Sequence, residues 1–82
     1  MNRALINYIT ELLNPYSTYY SDGVLNSEGM TILRVIAREV LKEYPWLRRR
    51  FAKARRRRDY EYVSSLMSEV LQLITSGSSS PS

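Results

Sequence analysis

Neither cysteine nor histidine occurs among the 82 residues, which excludes a disulfide framework, a Cys/His zinc site and the commonest nucleophile–base pairs. Glycine is scarce, and Gly23, Gly29 and Gly77 fall at spacings that fit neither a P-loop nor a dinucleotide-binding fingerprint. No apolar run approaches the roughly 18 to 20 residues that span a bilayer, and Met1 to Tyr8 lacks a signal-peptide core. The eight carboxylates are dispersed. Glu39 and Glu43 share a helix face at i,i+4 spacing, but Arg38 and Lys42 stand beside them, so they read as a solvated face and not as metal ligands. These absences predict a cytoplasmic, non-enzymatic protein with no catalytic residues, no metal, no cofactor and no membrane partner.

What remains is ordinary globular material with one anomaly. The hydrophobic fraction of 44% beside 24% charged residues suits a folded chain, and 82 residues leave room for one small core. The anomaly is Arg48-Arg49-Arg50-Phe51-Ala52-Lys53-Ala54-Arg55-Arg56-Arg57-Arg58, eight cations in eleven positions with no acid among them. That block carries +8 and the rest of the chain −4, for the net +4. Charge segregated in this way attracts polyanions.

The expected architecture is all-α: a small bundle of about four helices over residues 1–75, with one arginine-rich exterior helix, followed by a flexible Ser-rich tail at 76–82. Leu5, Ile6, Tyr8, Ile9, Leu12 and Leu13 form the broad apolar side of a first helix from Asn2 to Asn14, which Pro15 ends. Residues 15–26 read as a long connection with Asp22-Gly23 as its tight turn. A second helix, capped by Asn26 or Ser27, runs to about Tyr44, and Ile32 and Val35 widen its apolar face enough to suggest a partner or a homodimer. Pro45 suits the first position of a third helix reaching about Arg57, held down by the seam Leu47, Phe51 and Ala54. Asp59 caps a fourth helix from Tyr60 to about Thr75, with Tyr62, Val63, Leu66, Met67, Val70, Leu73 and Ile74 inward and Glu69 among the residues facing water.

The third helix is the candidate functional element, with Arg48, Arg49, Arg50, Lys53, Arg55, Arg56, Arg57 and Arg58 as candidate nucleic-acid-binding residues. Guanidinium forks grip phosphate oxygens in pairs, and their weak hydration eases contact with a polyanion. Contacts from about five to seven of these side chains imply a log–log salt slope of about −4 to −6. Trp46, Tyr19 and Tyr20 are candidates for base stacking or partner contact. Helices two and three, joined at Glu43-Tyr44-Pro45, have the order of a helix-turn-helix, but a recognition helix mixes donors with acceptors, and nearly pure arginine predicts backbone binding with little sequence preference.

The expected function is therefore a small basic protein binding nucleic acid, DNA rather than RNA. The alternatives are a non-catalytic accessory subunit of a DNA replication or polymerase complex, its apolar faces gripping a larger protein partner, and an adaptor for an acidic protein surface. The preference for arginine over lysine and the seven tyrosines suit a thermophilic source or its virus. In composition the chain is similar to small basic helical proteins of archaea and their viruses, but no motif carries a site over.

Overall fold

The computed structural model describes residues 3–78. It is all-α apart from one short hairpin, in the order α1 (Arg3–Leu13), β1 (Tyr20–Ser21), β2 (Val24–Leu25), α2 (Ser27–Glu43), a single 3-10 turn (Pro45–Leu47), α3 (Arg48–Arg57) and α4 (Tyr60–Ser78). Each helix buries the stripe its spacing dictates: Leu5, Ile9 and Leu12 from α1, Leu33, Ile36, Ala37 and Val40 from α2, Phe51 and Ala54 from α3, and Val63, Leu66, Met67, Val70 and Ile74 from α4. The closest packing runs α1 on α4, α4 on α3, α3 on α2 and α2 on α1, so α2 and α4 lie diagonally across one core.

Local chemistry sets the helix ends. Asn26 caps α2, its Oδ1 accepting from the Gly29 N–H at 2.8 Å, while Asp59 Oδ2 accepts from the Tyr62 N–H at 3.1 Å in the first turn of α4. Pro45 opens the 3-10 turn, not the α-helix itself, and α3 begins only at Arg48. The reason is the Leu47 backbone: its N–H bonds to the Tyr44 carbonyl at 3.0 Å, an i→i−3 closure tighter than an α-turn. α4 runs to Ser78, three residues beyond its expected end at Thr75, and the rest of the expected tail, 79–82, lies outside the described residues.

The connection after α1 is more structured than its composition predicts. Asp22 and Gly23 adopt φ values of 55° and 79°, the paired left-handed conformation of a two-residue hairpin turn, and they place Tyr20 opposite Leu25 and Ser21 opposite Val24. Val24 bridges in turn to Asp59, with the Leu25 N–H donating to the Arg58 carbonyl and the Tyr60 N–H to the Gly23 carbonyl, both at 2.8 Å. The hairpin is thus tied to the α3–α4 junction. It also packs on the first turn of α2 so closely that a Cβ on Gly29 would sit 2.5 Å from the Tyr19 carbonyl oxygen. Only glycine fits there without a backbone shift.

Two tyrosines close the C-terminus of α1, whose last carbonyls have no partner within the helix. The Tyr20 hydroxyl donates to the Leu12 carbonyl at 2.5 Å and the Tyr60 hydroxyl to the Leu13 carbonyl at 2.6 Å. Their rings meet edge to face at 5.3 Å.

Candidate nucleic-acid interface

The seam that holds α3 is narrow and fully used: Leu47, Phe51 and Ala54 are at most 1% exposed. At 100° per residue these three side chains occupy one side of the wheel, and the cations take up the remainder. Arg49 and Arg56 stand opposite the seam, Arg48 and Arg55 lie on one flank, and Arg50, Lys53 and Arg57 lie on the other.

The two flanks are not equivalent. Arg50 and Arg57 lean towards α4 and are consumed there. Arg50 Nη1 pairs with Glu69 Oε1, and Arg57 Nε with Asp59 Oδ1 at 2.9 Å. Both guanidinium groups, with Lys53, also gather at the half-buried Tyr62 ring: the Arg50 Cζ is 5.9 Å from its centroid, the Lys53 Nζ 5.3 Å and the Arg57 Cζ 5.6 Å. Cation–π attraction of this kind offsets part of the repulsion among the three charges. The Tyr62 hydroxyl first, and Glu69 after it, hold the Arg50 guanidinium above its already high ordinary value. At Asp59 what little burial there is raises the carboxyl, but the Tyr62 N–H and the Arg57 guanidinium outweigh it and hold the group below its ordinary value.

The remaining cations have no acid. Arg48, Arg49, Lys53, Arg55, Arg56 and Arg58 are exposed and make no ion pair among the described residues. Arg58 follows α3 in the left-handed conformation, φ 61°, with its N–H on the Ala54 carbonyl and its carbonyl on the hairpin. The Asp59 and Glu69 carboxylates lie on the α4 side, so Arg48, Arg49, Arg55 and Arg56 are left facing water on the rest of the helix.

The aromatic candidates separate. Tyr20 is 9% exposed, with its hydroxyl spent on α1 and its ring on Tyr60, so it is a core residue; burial of the ring removes it as a stacking candidate. Burial and then Tyr60 push its hydroxyl well above the ordinary tyrosine value. Tyr19 is half-buried against the core. Trp46 is 65% exposed at the start of the arginine helix, its ring nearly perpendicular to that of Tyr44 at 5.4 Å.

Two contributors escaped the sequence reading. Tyr62 was expected to face inward and Glu69 to face water, yet both organise the α3 flank. The period of α4 places Tyr62 at the rim of its apolar stripe, but only the position of α3 turns that rim into a cation seat. Compared with known proteins, the chain matches no family model, no curated protein and no solved structure.

Proposed function

We propose that the protein is a non-catalytic nucleic-acid-binding module that engages the phosphate backbone through the outer face of α3, with little dependence on sequence. DNA is the first ligand to test. The observation that carries this reading is the asymmetry of α3: two arginines are neutralised against α4, and six cations in and just after the helix are exposed with no ion pair among the described residues, around a seam that does not need them. A solvated helix face ordinarily mixes signs, because like charges at i,i+4 destabilise it. A polyanion relieves that repulsion, and phosphates take up guanidinium forks directly.

The test is fluorescence anisotropy of labelled DNA over a range of salt. Wild type is expected to bind with a log–log slope of about −4 to −6. Changing Arg49, Arg55 and Arg56 to Gln removes three exposed charges that hold no structural partner, so the slope should become shallower by about three while the melting temperature holds or rises. Salt-independent or absent binding in the wild type would overturn the proposal.

A second reading has its own observation. Ala4, Leu5, Tyr8, Val35 and Glu39 line an open hollow between α1 and α2, apart from the α3–α4 flank. Such a surface suits an accessory subunit that docks on a larger protein while α3 extends a positive track along the template. DNA binding that needs the partner would distinguish this reading from the first.

A further inference from the structure

We infer that Trp46 is a base-stacking platform and that the protein therefore prefers single-stranded nucleic acid, or an unpaired end, to an intact duplex. The inference rests on the proposed phosphate-binding role of α3 and adds the kind of strand that α3 meets.

Exposure is the first ground. Tryptophan is highly buried on average, yet this one is 65% exposed in a chain that buries Phe51 to 1%. The second is alignment. Trp46, Arg49, Lys53 and Arg56 follow one another at spacings of three, four and three, which sets them in one row running from the 3-10 turn along the outer side of α3, with Lys53 at its α4 edge, and all four are exposed. The row is about 15 Å long at 1.5 Å per residue, with the indole at one end and three cations behind it. An aromatic ring heading a track of positive charge is the arrangement by which single strands are held without reading their sequence.

The third ground is rigidity. Pro45 and the 3-10 turn fix the backbone of Trp46, and its ring rests against Tyr44, whose hydroxyl reaches the Leu73 carbonyl of α4 at 3.4 Å. The fixed backbone and the Tyr44 contact lower the freedom that the side chain loses on binding, which favours a recognition surface. In a duplex the base faces are covered by their neighbours, so the indole finds a partner only where a base is unpaired.

Trp46 is the only tryptophan, so tryptophan emission excited to the red of the tyrosine band reports on this position alone. The experiment titrates the protein with a 12-nucleotide oligothymidylate and with a 12-base-pair duplex, following anisotropy of the labelled DNA for wild type, Trp46→Ala and Trp46→Phe, and tryptophan emission in parallel for wild type. Quenching is expected with the single strand and little change with the duplex. Trp46→Ala should weaken single-strand binding about 5- to 100-fold, corresponding to one stacked base, and leave duplex binding within about twofold. Trp46→Phe should recover most of the loss. Single-strand binding without quenching, or an equal loss on both ligands, overturns the stacking role while the phosphate-binding reading survives. Absence of anisotropy change with either DNA removes both.

Discussion

Arg58 shows most plainly how a single residue divides between the fold and the proposed function. It occupies a left-handed position after α3, where glycine or asparagine is the usual occupant, and an ordinary side chain there is disfavoured by about 1 kcal/mol or more. The backbone groups of Arg58 are fully used, but its side chain makes no ion pair among the described residues. Arg58→Gly should therefore raise the melting temperature by about 4–8 °C for a domain of this size, and at the same time make the salt slope of DNA binding shallower by about one. A calorimetric scan beside the anisotropy titration checks both; a lower melting temperature would mean that the side chain supports the junction. Asp22, the other non-glycine residue in this conformation, lies in a turn that tolerates it, because Asp-Gly is a favoured pair for this hairpin.

At the scale of elements, the junction between α3 and α4 does the most. Asp59 starts α4 and pairs with Arg57 through its carboxylate, while its backbone bridges to Val24, so one residue couples the arginine helix, the fourth helix and the hairpin. Its pKa is lowered in the folded protein, so its contribution to stability is fully present above the unfolded value of about 3.9 and is lost as pH falls through the lower folded value. Asp59→Asn keeps an oxygen for the Tyr62 N–H but gives up the charge facing Arg57. The variant should melt below the wild type at pH 7, and the gap should narrow as the pH is taken from 5 to 2. A gap that stays constant over that range would show that the ionised carboxylate contributes nothing.

For the molecule as a whole, charge segregation sets a tension between packing and repulsion. α3 is held by Leu47, Phe51 and Ala54 and by two ion pairs at its α4 flank, against the mutual repulsion of eight cations. Screening weakens that repulsion beyond about 10 Å at 0.1 M salt. Thermal denaturation should therefore move to higher temperature between about 20 mM and 300 mM NaCl, within the range where screening changes most. A polyanion bound at 100 times its Kd should add about 2.7 kcal/mol on top. A fall in melting temperature with salt would instead mean that the Arg50–Glu69 and Arg57–Asp59 pairs outweigh the repulsion.

Much of the fold was legible because its signals are local. The three- and four-residue spacing of Leu47, Phe51 and Ala54 marks the buried side of α3 without any knowledge of what covers it, and Asn26 and Asp59 mark helix starts by the hydrogen bonds their side chains can accept. The turn at Asp22-Gly23 was legible from its residue types, but the strands beside it were not, because two-residue strands have no measurable period and one of their partners is Asp59, far along the chain. Nor was the fate of Tyr20, whose hydroxyl closes the end of α1, or the seat that Tyr62 and Glu69 make for one flank of α3. The sequence by itself determined four amphipathic helices and the concentration of positive charge on one of them, since both follow from the order of side chains along a 3.6-residue turn. Only the tertiary structure decided which of those cations are neutralised and which remain open to a ligand, because that depends on which helix lies beside α3 and which acids it brings within reach.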